Sequence, residues 1–362
     1  MRIVHILGTR PNFVKMAPLI AAIARRLPEA DQQIVHTGQH YDRMMSEIFF
    51  EQLGVPAPDH MLEVGSGTHA QQTARVMERL EPLLVELRPD LVVVPGDVNS
   101  TVAAALTAVK LGVPVAHLES GLRSFDRTMP EEINRILTDQ IADHLWVHSE
   151  EALRNLEIEG IPPERAHFVG NTMIDSLVAL QDRFRPLGAC REHGLEPGGY
   201  LLVTLHRPAL VDGPLLFEAV AELNQVAREM PVLFPVHPRT RARLALDAEA
   251  APPGDGGGLV LTDPVGYLEF LSLEADAGAV LTDSGGIQEE TSFLGVPCFT
   301  LRDNTERPVT IELGTNVLLG LDPARISEIP ALVRESSGPA PEPPPLWDGH
   351  AADRIADLIA GL

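Results

Sequence analysis

The sequence predicts an α/β protein with two domains, each built on a doubly wound parallel sheet. Short apolar runs that end in Gly, Asp, Glu or His alternate with longer stretches of helical spacing, as in RIVHILG, LVVVPGD and PVAHLES. Near-continuous apolar strands separated by helices are typical of a parallel sheet covered on both faces. The chain has 362 residues, which is long enough for two domains of ordinary size.

The strand pattern pauses once, and this pause predicts the domain boundaries. Strands are expected in RIVHILG, QIVHTG, LVVVPGD, PVAHLES, HLWVHS and AHFVG, which places the first domain at residues 1–181. Residues 182–199 are rich in Pro and Gly and predict a linker. A second series, YLLVTLH, VLFPVHP, GLVLTD, GAVLTDSGG and PCFTLR, predicts a second domain at 200–345. A terminal helix over 351–362 is expected to pack back on the first domain.

Composition excludes several classes of protein. The formal net charge of -23 argues against a nucleic-acid-binding surface, which needs clustered cations. The chain has no run of about 18 apolar residues and no signal-peptide pattern, so we expect a cytoplasmic protein without a membrane partner. Cys190 and Cys298 lie far apart without C-x-x-C spacing, so neither a disulfide framework nor a zinc site is predicted, and we expect no bound metal.

The segment GTRPNFVKMAPL is predicted to turn from the first strand into the first helix. A helix N-terminus carries about half a positive charge, and here Arg10 and Lys15 add to it. Lys15 is one of only two lysines in the chain. This concentration of positive charge in an acidic protein predicts an anionic ligand.

Acidic side chains follow the strands of the first domain. Asp97 follows LVVVPG, Glu119 ends PVAHLE, and Glu131 opens the helix PEEINRIL. Ligands bind at the carboxyl ends of parallel strands, so three carboxylates from separate segments at this edge predict acid–base chemistry. Glu132 is interpreted as a helix cap.

The strongest motif of the second domain is AVLTDSGGIQEETSFLG. Ser284, Gly285 and Gly286 separate an apolar strand from a helix, so backbone N–H groups can approach a phosphate there. Glu289 and Glu290 lie in the first helical turn, where a glutamate either complements the helix dipole or accepts ribose hydroxyls of a nucleotide. The motif therefore predicts a nucleotide site.

Basic and titratable residues complete this pattern. Arg307, in TERP, can bind phosphate oxygens in a bidentate manner. His206 ends the strand LLVTLH and precedes Arg207, which favours a functional role, whereas His237 is equally consistent with a structural or a functional role. The chain lacks G-x-G-x-x-G, G-x-x-x-x-G-K-[ST] and H-E-x-x-H, so no tightly held nicotinamide, P-loop or zincin site is predicted.

The chain closely resembles the non-hydrolysing UDP-N-acetylglucosamine 2-epimerases in ten segments: GTRPNFVKMAP, TGQHYD, PGDVNST, HLESGLRS, MPEEINR, VGNTMIDS, TLHRP, VHPR, TDSGGIQEE and LRDNTERP. The resemblance extends from Met1 to about Gly320. It implies two Rossmann-like domains facing a central cleft, the GT-B architecture, and interconversion of UDP-GlcNAc and UDP-ManNAc. It also implies a homodimer that supplies ManNAc for cell-surface polysaccharide.

The resemblance implies a reaction without a cofactor, in which UDP is eliminated across C1–C2 to a 2-acetamidoglucal and then re-added. Four positions match the family's catalytic residues: Asp97, Glu119, Glu131 and His206. Which acid removes the C2 proton is left open. Nine further positions match contacts to UDP or sugar: Arg10, Lys15, Arg135, Phe270, Ser284, Gly285, Gly286, Glu290 and Arg307. Arg10 and Lys15 are hypothesised to hold the leaving diphosphate, and Phe270 to flank the uracil.

Two departures from the family pattern stand out. Many members read His-Arg-x-Glu-Asn where this chain has HRPALVD. Some bacterial members bind a second UDP-GlcNAc as an activator through Gln-His-Arg-Gln, which here reads QHYD, so weak or absent activation is predicted. Five positions match second-site or sugar contacts: Gln39, His40, Arg75, Arg207 and His237.

Alternatives remain open at this stage. A GT-B glycosyltransferase shares the nucleotide site but needs an acceptor pocket, and three carboxylates with a histidine favour epimerisation instead. A hydrolysing epimerase releases free ManNAc, and such relatives more often read Gly-Thr-Arg-Ala-Asp where this chain has GTRPN. The intact carboxylates argue against a catalytically silent sensor. A modified sugar, such as a diacetamido uronic acid, is not excluded as substrate.

Overall fold

The computed structural model describes residues 1–38, 52–244, 258–335 and 338–362. The chain divides into two compact units, the first formed by residues 1–179 and 345–362 and the second by residues 180–344. Each unit contains one parallel sheet that is covered by helices on both faces. The predicted α/β class with two doubly wound sheets is therefore confirmed.

The first sheet has seven strands: β1 Arg2–Leu7, β2 Asp31–His36, β3 His60–Met61, β4 Leu91–Pro95, β5 Val115–Ser120, β6 His144–Val147 and β7 Ala166–Phe168. Their order is β3-β2-β1-β4-β5-β6-β7, and every pair is parallel. Alternate side chains of β1 enter different cores, because Val4 and Ile6 pack on one face and Ile3 and Leu7 on the other.

Among the described residues, six helices connect or follow these strands: α1 Arg10–Arg26, α2 His69–Leu87, α3 Asn99–Lys110, α4 Pro130–Ile141, α5 Glu150–Ile158 and α6 Thr172–Phe184. Pro lies in the first turn of both α1 and α4, where its missing N–H costs no hydrogen bond. Both helices therefore start immediately beside the carboxyl edge of the sheet.

The second sheet has six strands: β8 Leu201–Thr204, β9 Val232–Pro235, β10 Leu259–Thr262, β11 Ala279–Thr282, β12 Cys298–Thr300 and β13 Asn316–Leu318. Their order is β10-β9-β8-β11-β12-β13, again with parallel pairs. The helices are α7 Pro208–Val211, α8 Leu215–Val226, α9 Pro238–Arg243, α10 Tyr267–Ala275, α11 Gly285–Leu294, α12 Val309–Glu312 and α13 Ile329–Glu335.

The strand order reverses beside the first strand of each sheet. In the first sheet, β1 lies between β2 and β4, and in the second, β8 lies between β9 and β11. Ligands of open α/β sheets bind outside the carboxyl ends of the strands at such a switch point. Ligand-binding residues are therefore expected in the segments that follow β1, β4, β8 and β11.

The terminal helix α14, Ala351–Ile359, belongs to the first unit and packs against α1. Asp175 in α6 accepts the N–H groups of Ala351 at 3.2 Å and Ala352 at 2.6 Å, which satisfies the start of α14. The segment 182–199, for which a linker is predicted, is largely ordered into the end of α6 and short 3₁₀ turns, and Cys190 is buried there. Within the described ranges, no helix is both long and apolar enough to cross a membrane.

Candidate active site

Glu119 lies at an irregularity of β5, where the pairing with β6 shifts between Leu118 and Ser120. Its φ of 69° falls in the left-handed region, which costs a residue with a side chain about 1–3 kcal/mol. Such bulges re-aim a side chain. The Glu119 carboxylate forms an ion pair with Lys15 of α1, and about nine-tenths of each side chain is buried.

Asp97 follows β4 and pairs with Arg135 of α4, whose Nη2 donates to Asp97 Oδ2 at 2.5 Å. Asn134 of the same helix donates to the Asp97 carbonyl at 2.9 Å. The Arg135 side chain is 3% exposed, whereas the Asp97 side chain is 30% exposed. Arg135 is thus a buried anchor, and Asp97 stays accessible.

Glu131 and Glu132 are neighbours at the start of α4, but only Glu132 is fixed. Glu132 accepts from Ser124 N, Ser124 Oγ and Phe125 N at 2.9 Å each, and it also pairs with Arg135. The interpretation of Glu132 as a helix cap is wrong, because its carboxylate binds the preceding loop. Glu131 is half-buried, and no described side chain pairs with its carboxylate.

These groups form the acid cluster of the first unit, which consists of Asp97, Glu119, Glu131 and Glu132 with the cations Lys15 and Arg135. The cluster has two more carboxylates than cations. Ion pairing fixes Asp97, Glu119 and Glu132 in position. Buried ion pairs add little net stability, because the cost of removing both charges from water offsets their attraction.

His206 follows β8 in the second unit, and Asp283 follows the adjacent strand β11. The Nδ1 atom of His206 is 3.2 Å from Asp283 Oδ1, and Asp283 Oδ2 accepts the N–H groups of His206 at 2.8 Å and Arg207 at 2.7 Å. Asp283 is buried, while the His206 side chain is 37% exposed. Asp283 therefore holds the backbone of His206 and Arg207 through one oxygen, and its other oxygen lies beside the imidazole.

His237 lies close to this histidine. The two imidazole rings have centroids 5.6 Å apart, and His237 Nδ1 accepts the Arg239 N–H at 3.2 Å as the cap of α9. The structure thus gives His237 a capping role, and its predicted sugar contact stays a prediction.

The helix α11 begins at Gly285, with Ser284 at its N-cap position and no capping bond from the serine hydroxyl. A Cβ atom at Gly285 would collide with Arg307 Nη1 and lie 2.9 Å from Arg307 Cζ. Glycine lets the guanidinium lie against the first turn of the helix, and a larger residue would displace it. The predicted combination of a helix N-terminus and Arg307 is therefore brought together, with Gly286 also in that first turn.

Three arginines share two glutamates beside α11. Arg307 pairs with Glu289 at 3.0 Å and with Glu306 at 2.5 Å. Glu306 also forms an ion pair with Arg302, whose Nη2 is 2.8 Å from Glu306 Oε2, and Arg207 Nη2 lies 3.6 Å from Glu306 Oε1. We call this set the arginine cluster, and it has one more cation than carboxylates. An excess of guanidinium groups at a helix N-terminus is suited to bind phosphate oxygens.

Glu290 lies deeper in the same helix. Burial raises the pKa of Glu290, as does the charge of Glu289, although the Tyr267 hydroxyl donates to its carboxylate at 2.8 Å. Burial also raises the pKa of Glu274 well above its ordinary value, with Glu290 as the next cause. Phe270 lies on the same helix as Tyr267 and is partly buried against the core. The predicted ribose and uracil contacts of Glu290 and Phe270 stay predictions.

The remaining predicted positions are less constrained. Arg75 donates to the carbonyls of Val64 at 3.2 Å and Ser66 at 3.1 Å. Gln39, His40 and the side chain of Arg10 lie outside the described part of the chain. Their predicted contacts stay predictions.

Sequence reasoning missed three polar residues that organise these sites. Asp283 and Glu306 lie inside the quoted motifs TDSGG and TERP. Their place within these motifs is the feature of the sequence that could have identified them as site residues. Asn12, within GTRPN, accepts the N–H groups of Gly8 and Thr9 at 3.0 Å each and shapes the turn into α1. Short polar side chains commonly bond nearby backbone in this way.

Comparison with known proteins agrees with this arrangement. The family model described as UDP-N-acetylglucosamine 2-epimerase matches residues 22–360. The chain is 40% identical to the UDP-N-acetylglucosamine 2-epimerase of Methanococcus maripaludis, over 98% of this chain and 97% of that protein. It is 43% identical to the UDP-2,3-diacetamido-2,3-dideoxy-D-glucuronate 2-epimerase of Pseudomonas aeruginosa, over the full length of both.

A solved structure extends the agreement to the fold. The crystal structure of Methanocaldococcus jannaschii UDP-GlcNAc 2-epimerase in complex with UDP-GlcNAc and UDP matches with a TM-score of 0.88 and 39% identity, and the match covers 100% of both chains. The predicted GT-B-like class is confirmed by this match. The chain belongs to the UDP-N-acetylglucosamine 2-epimerase family of enzymes.

Proposed function

We propose that the protein interconverts UDP-GlcNAc and UDP-ManNAc by reversible epimerisation at C2, without hydrolysis. The observation that carries this proposal is the acid cluster, in which buried cations hold Asp97 and Glu119, and Glu131 is half-buried at the start of α4. A C2 epimerase must remove a proton from one face of the sugar and return one to the other face. Several positioned carboxylates are suited to that task.

The reaction proceeds by elimination and re-addition. A carboxylate of the acid cluster takes the C2 proton, the C2–H electrons form the C1–C2 double bond, and UDP leaves C1 with the electron pair of the C1–O bond. UDP then adds back to C1 of the 2-acetamidoglucal while C2 is protonated on the opposite face. No hydride carrier enters this route, so it requires no nicotinamide cofactor.

The second unit supplies the charge that the departing diphosphate needs. The backbone N–H groups at the start of α11 and the arginine cluster bind the phosphate oxygens as negative charge develops on them. Each donor of this kind contributes about 3–4 kcal/mol to transition-state stabilisation. His206, whose imidazole lies beside Asp283, carries the exchanged proton on Nε2.

A modified UDP sugar is the second candidate substrate. The relative from Pseudomonas aeruginosa, named as an epimerase of a UDP-diacetamido uronate, is 43% identical over the full length of both chains. The same elimination chemistry applies, because both sugars carry an acetamido group at C2. They differ at C3 and C6, so binding contacts rather than the acid cluster distinguish them.

The wider assignments of the family are adopted with this function. The protein is proposed to act as a cytoplasmic homodimer that supplies ManNAc for cell-surface polysaccharide. Light scattering of the purified protein tests the dimer, for which a mass of twice that of the chain is expected. A monomeric mass would contradict it.

The direct test is an NMR time course of the purified protein with each of the two UDP sugars in turn. We expect UDP-GlcNAc to reach an equilibrium with UDP-ManNAc, with no free ManNAc released. Asp97→Asn, at the accessible end of the Arg135 pair, serves as the inactive control. Release of free ManNAc would indicate a hydrolysing epimerase, and turnover of the uronate alone would establish the second candidate. Turnover of neither sugar would contradict the proposal.

A further inference from the structure

A buried ionic network that no catalytic role explains lies beneath the acid cluster. His117 of β5 and Asp139 of α4 are both fully buried, with His117 Nδ1 2.7 Å from Asp139 Oδ1. The second carboxylate oxygen of Asp139 is 2.7 Å from Arg123 Nη1. Arg123 continues to Glu159 at 2.6 Å, and only this outer carboxylate is partly exposed. Four charged groups thus form one chain within the first unit.

The hydrogen-bond partners fix the protonation of His117. Its Nε2 atom is 2.7 Å from the carbonyl oxygen of Gly96, which can only accept. Its Nδ1 atom faces Asp139, whose pKa burial raises but the charges of His117 and Arg123 hold below the ordinary value, so the carboxylate is ionised. A ring between two acceptors must donate from both nitrogens, which only the imidazolium does. Two cations then balance two carboxylates, as buried charges require.

The network binds the backbone on both sides of the catalytic acids. His117 holds the carbonyl of Gly96, the residue before Asp97, and the Gly96 N–H donates to the Leu118 carbonyl at 2.9 Å. Asp139 Oδ2 accepts the N–H of Gly121 at 3.1 Å, two residues after Glu119.

Three residues in this region have left-handed backbone, and Glu119 is the one among them with a side chain. The φ angles are 64° at Gly96, 69° at Glu119 and 79° at Gly121. A strained conformation persists only where its surroundings over-determine it. His117 holds Gly96, whose N–H bonds the Leu118 carbonyl just before Glu119, and Asp139 holds the N–H of Gly121 two residues after it. These bonds thus restrain the backbone around Glu119 and keep its carboxylate on Lys15.

We propose that the His117–Asp139 ion pair is a positioning device for the reaction, which holds Asp97 and Glu119 in place through the backbone of Gly96 and Gly121. Neither residue touches the sugar. The inference rests on the proposed function for its kinetic consequence. Its structural premise, that His117 donates from both ring nitrogens, is independent of any substrate.

The kinetic test compares Asp139→Asn with Glu159→Gln. Both variants remove one carboxylate partner of Arg123, but only Asp139 contacts His117 and Gly121. We expect Asp139→Asn to lower kcat about 100-fold with KM changed less than about 3-fold, because a displacement near 1 Å of a reacting group costs about that much. Glu159→Gln should keep kcat within about 2-fold of the wild type. A folded Asp139→Asn protein with wild-type kcat would overturn the positioning role.

A spectroscopic test needs neither a substrate nor a folded Asp139 variant. Nitrogen-15 NMR of histidine-labelled wild-type protein, with the His117 signals assigned by their loss in His117→Gln, reports the protonation of both ring nitrogens. We expect both nitrogens to carry a proton, because each faces a hydrogen-bond acceptor. A neutral His117 ring would refute the ion pair. If the wild type epimerises neither sugar, the proposed function fails, while this measurement still decides the charge of His117.

Discussion

The acid cluster and the arginine cluster lie at equivalent places in the two sheets, yet they carry opposite excess charge. The acid cluster comes from β5 and the segments after β1, β4 and β5, and the arginine cluster comes from the corresponding segments after β8, β11 and β12. In the acid cluster carboxylates outnumber cations by two, and in the arginine cluster cations outnumber carboxylates by one. The same architecture therefore provides one edge rich in carboxylates and one rich in guanidinium groups, which we propose serve proton transfer and the anionic leaving group, respectively.

The acids of the acid cluster and the acids beside the nucleotide motif have different partners. In the first unit, the buried cations Arg135 and Lys15 pair with Asp97 and Glu119. In the second unit, burial raises the pKa of Glu290 and Glu274, so the protonated acid is favoured at these two residues. Breaking a single ion pair should therefore lower activity more in the first unit than in the second.

The largest effect is expected at Glu131, which the acid cluster leaves unpaired. Glu131→Gln should lower kcat about 1000-fold, because acid–base groups contribute about 100- to 10,000-fold, while the free energy of unfolding stays unchanged. Glu132→Gln is the matched control and should chiefly destabilise the fold, since it weakens the bonds to Ser124 and Phe125. Steady-state kinetics and urea unfolding of both variants provide the measurement. Equal loss of activity in two equally stable variants would contradict the distinction.

The next effect concerns the Lys15–Glu119 pair. Lys15→Met should lower kcat about 100-fold, as for loss of one transition-state donor, and lower the free energy of unfolding by about 3 kcal/mol, because a buried carboxylate loses its partner. The double variant Lys15→Met/Glu119→Gln should recover most of the stability and none of the activity. Activity that returns together with stability would show that Lys15 acts only on the fold.

Some of the contacts behind these two predictions can be predicted from the sequence, and others cannot. The apolar runs correctly predict most strands, but β3 and β13 were missed. The two residues of β3 are too short for a periodic signal, whereas β13 is as long as the predicted strands β7 and β12. Strand ends also identify Asp97 and Glu119 as residues at the carboxyl edge of the first sheet, and His206 as a residue at the carboxyl edge of the second sheet. The ion pair of Lys15 with Glu119 depends on a left-handed residue at a bulge, and no local pattern encodes that conformation.

Long-range partners escape sequence reasoning for a similar reason. Asp139 and His117 are 22 residues apart, and each alone looks like an ordinary polar residue of a helix or strand. Glu132 looks like a cap because most glutamates in a first turn are, and only the path of the preceding loop shows that it binds Ser124 and Phe125. Tertiary contacts, rather than local propensity, decide such roles.

Asp175 provides a smaller test in the first unit, since two N–H groups hold this acid in place. Burial raises the pKa of Asp175 from 3.8 to about 6, so the folded state retains a proton that the unfolded state has lost between these values. The free energy of unfolding must then fall as pH rises through this window. Relative to Asp175→Asn, the wild type should lose about 2 kcal/mol between about pH 4.5 and 7. A constant difference across this range in urea unfolding would contradict the raised pKa.

The smallest effect is expected in the arginine cluster, where several cations share the load. Gly285→Ala should weaken UDP binding about 10-fold, because the added methyl group displaces Arg307 and one charged hydrogen bond contributes about 1.5–3 kcal/mol. Gly213→Ala, which meets open space, is the control and should bind UDP normally. Calorimetric titration with UDP compares the two. Unchanged affinity in Gly285→Ala would separate Arg307 from the diphosphate.

We propose above that the acid cluster removes a proton from C2 and returns one to it, while UDP leaves C1 and adds back. The most direct test of this mechanism is the reaction in D₂O, with the C2 position of the product read by NMR. We expect the epimer to carry deuterium from solvent at C2. We also expect UDP and the 2-acetamidoglucal to appear in trace amounts during long incubations. An epimer that forms without solvent deuterium would contradict elimination and point to a route in which the C2 hydrogen never leaves as a proton.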